Sequence, residues 1–141
     1  KAFSVFENWS FVFGAQSGVK IGSTKIKSLD FGLGGYAYNN INNYFSFFGY
    51  DYFSLSGDSF TKTYATIDYE LFNNHHINAS LNFANIGDNI FLESEWMEVL
   101  NYSGYSVGYG LETFFGPIEI KYNWSPDTSY SAYLINFGYW F

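Results

Sequence analysis

The chain has 141 residues, of which 25% are aromatic and only 13% charged, with a net charge of −7, no cysteine, 14 glycines and 2 prolines. Ordinary soluble domains carry about 25% charged residues, and phosphate binding needs clustered Lys and Arg, so the balance argues against a soluble surface and against a nucleic-acid partner. Without cysteine there is neither a disulfide scaffold nor a cysteine metal site, and no cofactor is indicated. Mean hydropathy is −0.09, and no stretch reaches the ~18 to 20 continuous apolar residues of a membrane helix. The aromatic content therefore has to be carried by alternation, one face oily and the other wet. The length is that of one domain, 1–141. No signal peptide opens the sequence, which reads as a mature chain or a fragment.

Residues 1–9 read as a helix or a strand end. Trp9, Phe11, Phe13 and Ala15 then alternate with Ser10, Val12, Gly14 and Gln16, a strand to about Lys20. Across 22–58 the alternation is lost: Gly34-Gly35, an Asn-rich patch at 39–43, and aromatics on both faces from Tyr44 to Phe53. Two readings are open for this segment. Phe31 to Tyr38 and Tyr44 to Leu55 form two more strands, about eight in all, or the segment folds into the lumen as a lid.

Period two returns downstream. Thr63, Ala65, Ile67, Tyr69 and Leu71 alternate with Lys62, Thr66, Asp68 and Glu70; then Ile77, Ala79, Leu81 and Phe83 alternate with Asn78, Ser80 and Asn82. Beyond a loop over 87–103, Tyr105, Val107, Tyr109 and Leu111 alternate with Ser106, Gly108, Gly110 and Glu112. A Gly116-Pro117 turn leads to Ile118, Ile120, Tyr122 and Trp124, set against Glu119, Lys121 and Asn123. The last strand, from about Tyr130 to Phe141, places Tyr133, Ile135, Phe137, Tyr139 and Phe141 on one face and Ala132, Leu134, Asn136 and Gly138 on the other.

A polar, mixed-charge face is ruinous in a soluble sandwich core and ordinary for a barrel interior. Soluble domains seldom finish on an apolar strand, whereas a barrel in lipid pairs its last strand to close. The fold class that follows is all-β, an antiparallel transmembrane β-barrel of the outer membrane. Phe137, Gly138, Tyr139 and Phe141 are the candidate terminal assembly signal. Short turns near Asn73 to His75 and at Gly116, against longer loops over 87–103 and 125–129, put the C-terminus on the periplasmic side.

The order of a strand, a long segment with a double glycine and then an aromatic-Gly-Tyr, a Phe-x-x-x-Gly strand end, a Gly-Pro-Ile turn and a terminal aromatic strand resembles the bacterial surface antigen superfamily. That superfamily holds the barrel-assembly insertases of the BamA type and the barrel-anchored patatin-like proteins, and the likeness to the latter from Bacteroidetes is the closer. The resemblance implies an inward-folded lid over 22–58, with its Val-Arg-Gly-Phe/Tyr motif on Phe47, Phe48, Gly49 and Tyr50 and its Phe-x-Asp-x-Gly strand on Phe83, Asn85 and Gly87. Phe48 stands where the family has Arg and Asn85 where it has Asp. Both partners of a buried ion pair are thus replaced together, as expected when an unpaired buried charge costs about 3 to 5 kcal/mol. The resemblance further implies that 1–6 is a strand tail and Glu7-Asn8 a turn. About six complete strands and a partial one remain, the C-terminal part of a larger barrel of roughly 16 strands, unless eight strands close alone.

Its implied role is non-enzymatic, a membrane anchor or a transport and assembly pore, with a small passive barrel or surface-binding protein as the alternative and the barrel part of a lipid acyl hydrolase as the least favoured reading. The expected partners are outer-membrane lipid and lipopolysaccharide, the barrel-assembly machinery during insertion, and further strands or a second copy. Gly104-Tyr105-Ser106-Val107-Gly108 matches the lipase G-x-S-x-G pattern, but it lies inside an alternating strand with no helix after it. His75-His76 reads as a solvated turn pair, and Glu93, Glu95 and Glu98 as a solvated acidic loop rather than a calcium site. Lys20, Lys62, Asp68, Glu70, Glu112, Glu119 and Lys121 are the candidate lumen charges, which either set ion selectivity or, the favoured reading, neutralise one another in a plugged interior. Trp9, Tyr69, Trp124, Tyr139 and Trp140 suit interfacial girdles. On these faces, Arg should be costly at Ile120 and mild at Asn123, and Phe48 should lie near Asn85.

Overall fold

In a computed structural model that describes residues 2–22, 27–36, 43–91 and 100–138, with backbone alone for 2–6, the alternating segments pair into one wall. Strand β1 (Ala2–Phe6) turns into β2 (Trp9–Val19). A long insertion follows, carrying the short strands β3 (Phe31–Leu33), β4 (Tyr44–Phe45) and β5 (Leu55–Gly57). The chain then runs through β6 (Ser59–Phe72), β7 (His75–Gly87), β8 (Tyr102–Thr113), β9 (Gly116–Trp124) and β10 (Ser131–Phe137). Seven of these form an antiparallel sheet in the order β1-β2-β6-β7-β8-β9-β10. Among the described residues the sheet is open, with β1 and β10 as its edges.

Pairing register carries the sequence pattern from strand to strand. One outward row runs Phe11, Ile67, Ala79, Val107, Tyr122, Tyr133, and the next Trp9, Tyr69, Ile77, Tyr109, Ile120, Ile135. Successive side chains on a strand point to opposite faces. The inward rows that alternate with them are polar through their middle strands and apolar at Val12, Ala132 and Leu134: Val12, Thr66, Ser80, Ser106, Asn123, Ala132, and Ser10, Asp68, Asn78, Gly108, Lys121, Leu134. Ile67, Ile77, Val107, Ile120, Ile135 and Phe137 are left exposed, an apolar outer surface far beyond what a monomer in water presents.

Short turns collect at one end of the sheet. Asn73-Asn74 joins β6 to β7, with Asn74 at a φ of 70°, a conformation Asn tolerates better than most residues. The long connections, 20–58, 88–101 and 125–130, are all at the other end.

The insertion does not add strands to the wall, so the reading of Phe31 to Tyr38 and Tyr44 to Leu55 as membrane strands is corrected. Its short strands make a separate sheet in the order β4-β3-β5. The reason lies in its aromatics on both faces. A wall strand needs one wet side, whereas over 44–50 the aromatics of both faces are buried or half-buried, only Tyr52 and Phe53 beyond them being exposed. Leu33, Phe47 and Tyr50 from the insertion meet Phe60 of β6 and Ala84 of β7 in the main buried cluster, with Phe31, Phe45, Leu55, Ile86 and Tyr102 around it. Full burial of one such large side chain contributes about 1.5 to 3 kcal/mol. The face of the sheet that receives this cluster is the inner face. Tyr139, Trp140 and Phe141, of the proposed terminal signal and girdle, lie outside the described residues, as do Glu93, Glu95 and Glu98.

Candidate functional site: the seat of the inserted segment

The tip of the insertion, 44–50, rests on the inner face through backbone groups rather than side-chain charges. The Phe48 N–H donates to the Asn82 side chain at 2.8 Å, and the Gly49 N–H to the Asn123 side chain at 3.0 Å. Each wall residue is an amide pointing inward at a position that alternates with outward apolar neighbours. Lys62 donates to the Ser46 carbonyl. Two glycines make this approach possible. A Cβ on Gly104 would sit 1.9 Å from the Phe48 carbonyl oxygen, and one on Gly49 would sit 2.4 Å from the Trp124 backbone, at a φ of +76° that also disfavours side chains.

A latch from the connection between β9 and β10 closes over the tip. The Asp127 carboxylate accepts from the Ser103 N–H at 2.7 Å, the Ser103 hydroxyl at 2.8 Å and the Tyr50 hydroxyl at 3.1 Å. Thr128 donates to the Gly49 carbonyl at 3.2 Å. Desolvation pushes the Asp127 carboxyl up, but the N–H and hydroxyl of Ser103, with Tyr50 and Ser125, outweigh it and hold the carboxyl below its ordinary value. Burial raises the Tyr50 phenol, which keeps it protonated as a donor.

A group whose folded value is depressed stabilises the fold above its ordinary pKa, and that contribution is lost as pH falls through the lowered value. The latch is therefore fully set at neutral pH and weakens only in acid below about pH 4. Asp127→Asn should remove that acid dependence of lid protection. Hydrogen exchange at Phe48 and Gly49 as a function of pH measures it, and an unchanged pH profile in the variant would contradict the latch.

The candidate lumen charges separate by height on the wall. Glu70, His76, Gly110, Glu119 and Asn136 form one inward row near the short turns, with Asp68 and Lys121 one row above. Lys121 pairs with Glu119 at 2.9 Å and donates to the Tyr36 hydroxyl at 3.1 Å. Lys20 pairs with Asp30 at the root of the insertion. Glu112 is exposed, and Glu70 accepts the Asn74 N–H of the turn at 3.2 Å. Lys62 stands apart, with no carboxylate within 4.0 Å among the described residues. Mutual neutralisation thus describes Lys20 and Lys121 and does not extend to Lys62.

His75 and His76 are strand residues rather than a solvated turn. The connection is two residues long, so β7 starts at His75 and His76 falls on the inward register, 2.8 Å from Asp68 and 3.8 Å from Glu112. Alternation also divides the strand expected to contact the lid. Phe83 and Asn85 share the outward register with Leu81, Phe83 lying edge-on to Tyr105 and Asn85 accepting the Asn101 N–H at 2.7 Å. Gly87 pairs with Ser59. The residues of this stretch that meet the lid are Asn82, Ala84 and Ile86.

Ser106 is mid-strand, 1% exposed, between Ser80 and Asn123 on the inner face. Nothing there resembles the strained strand-to-helix elbow of a lipase serine. The flanking glycines of its G-x-S-x-G pattern have packing reasons: Gly104 admits Phe48, and a Cβ on Gly108 would meet the Lys121 stem at 2.5 Å. On the outer face Trp9 packs on Tyr69 near the short turns, and Trp124 on Tyr105 near the long loops.

Asn82, Asn123 and Asp127 were not legible as site residues. The available signal was only that the two Asn are inward amides on clean strands, and that Asp127 lies in a Ser-Pro-Asp-Thr connection.

Lipid-compatible rows outside, polar rows inside and an inserted segment on the inner face define the wall of an outer-membrane β-barrel. The model of the OMP85 superfamily matches residues 1–141, and the chain belongs to that superfamily of outer-membrane barrels. No curated protein and no solved structure matches it.

Proposed function

We propose that this chain is a non-enzymatic barrel wall of the bacterial outer membrane that serves as an anchor with a closed lumen, its segment 20–58 acting as a fixed plug. The observation that carries the reading is the bolting of the plug tip by two wall amides, at Asn82 and Asn123. A pore built for passage would not bind its occluding segment through backbone N–H groups that, among the described residues, have no other acceptor. The outer rows meet lipid and lipopolysaccharide, and the edges β1 and β10 pair with further strands or a second copy, because an unpaired strand edge in hydrocarbon is costly. The resemblance to patatin-like barrels fits an anchor. Loss of both charges at Phe48 and Asn85 weighs against insertase activity.

The test is conductance of the full-length protein, purified from outer membranes and reconstituted into planar bilayers. The wild type should be quiet, and Asp127→Ala combined with Thr128→Ala should produce openings as the latch is lost. Steady, large conductance in the wild type would overturn the closed reading.

A further inference from the structure

The turn between β8 and β9 is Phe114-Phe115, and its rings are 98% and 90% exposed, edge-on to each other at 5.5 Å. At that exposure no described residue covers either ring. Turn positions favour Gly, Asn, Asp, Ser and Pro, and the adjacent turn, whose Asn74 carbonyl accepts the Glu112 N–H, is Asn73-Asn74. The height of the lipid-facing band on this hairpin gives the aromatic pair a reason. Its upper limit is marked by Tyr105 stacked on Trp124. The next outward residue of β8, Ser103, already serves the Asp127 carboxylate of the wet latch. Below that limit the outer face carries Val107, Tyr109 and Leu111 on β8 and Tyr122, Ile120 and Ile118 on β9, down to the Thr113–Gly116 pair. Phe137, 72% exposed, continues the apolar surface beside Ile118.

Strand β9 has 9 residues, Gly116–Trp124. At about 3.4 Å per residue and a tilt of about 35 to 45°, it rises roughly 19 to 22 Å, whereas the apolar band of a barrel is about 25 Å tall. The strand is used up by the membrane, and the turn below it lies at the lipid boundary. We propose that Phe114-Phe115 is a membrane anchor, both rings entering the headgroup and upper acyl region of the periplasmic leaflet and holding β8 and β9 at a fixed depth. The backbone of the turn suits that place, where polar groups need partners within the protein. The Thr113 hydroxyl donates to the Gly116 carbonyl at 2.6 Å and accepts the Phe115 N–H at 3.3 Å. Pro117 has no N–H to satisfy. Residues 113–118 carry no charge.

The sequence has no cysteine, so Phe114→Cys and Phe115→Cys can each carry a single nitroxide label while the other Phe stays. Ile135→Cys on the outer face and Ser129→Cys in the exposed connection before β10 give references for lipid and water. The full-length protein is folded into liposomes of phosphatidylethanolamine and phosphatidylglycerol, and label collisions with oxygen and with a neutral nickel chelate are measured by EPR power saturation. The ratio of oxygen to chelate collisions at 114 and at 115 should exceed that at Ser129 several-fold, while staying below that at Ile135. A label at either Phe position as open to the chelate as the one at Ser129 would overturn the anchor. The inference rests on the outer rows meeting lipid, and the Ile135 label separates the two. An Ile135 label open to the chelate would defeat the lipid-facing wall, whereas an Ile135 label in lipid with wet turn labels would defeat the anchor alone.

Discussion

Arginine at Ile120 should lower the folding stability of the barrel by about 2 to 4 kcal/mol, and arginine at Asn136 should cost far less. Ile120 is at the centre of β9, 48% exposed on the outer face, in register with Tyr109 and Ile135. A guanidinium there is forced against hydrocarbon. Asn136 is on β10, paired with Glu119 across the inner face, and it lines a cavity with Asp68, Glu112 and Glu119. A cation at that position enters an acidic, wet environment.

Asn123 is no longer a suitable control, although it shares the inner face. It is 4% exposed, accepts the Gly49 N–H and donates to the Ala132 carbonyl at 3.0 Å. Arg at Asn123 should therefore unseat the lid, and the expectation of a mild effect is withdrawn. Urea unfolding in liposomes, followed by tryptophan fluorescence, gives the comparison. Equal losses at Ile120 and Asn136 would remove the assignment of faces.

What the sequence made legible is what period two controls. The outward rows, the inward rows and the five long strands β2, β6, β7, β8 and β9 follow from alternation, since a one-residue slip would send every side chain to the wrong face. Phe-Asn-Asn-His-His does not mark where the turn ends, so the histidines read as turn residues, although alternation counted back from Ile77 already puts His76 on the inward register. The seat of the insertion was hidden for a different reason. It is made by backbone N–H groups meeting wall amides tens of residues away, and a backbone donor leaves no mark in the sequence. Gly49 and Gly104 were the visible traces of it, since each is small where two backbones meet. The lid motif itself came from resemblance. The same resemblance named Asn85 as the facing residue, whereas the lid N–H finds Asn82, on the opposite register.

That difference makes a double-mutant cycle decisive. Phe48 stacks on Tyr36 at 5.5 Å and lines the cavity that also holds Lys62 and Lys121. Phe48→Arg adds a further cation to this partly closed space and discards the ring contact, so it should destabilise by about 3 to 5 kcal/mol, the range for a buried charge without a partner. Asn82→Asp keeps the acceptor for the residue-48 N–H, because the carboxylate oxygen replaces the amide oxygen, and it supplies the counter-charge next to residue 48. Combined with Phe48→Arg it should recover a large part of the loss, with a coupling of roughly 1 to 3 kcal/mol. Asn85→Asp should recover little, since Asn85 lies on the outward register and serves the Asn101 N–H. Chemical unfolding of the two double mutants and their parents measures both couplings. Rescue by Asn85→Asp in preference to Asn82→Asp, or strict additivity at both positions, would mean that the tip of the insertion does not sit where Asn82 and Asn123 hold it.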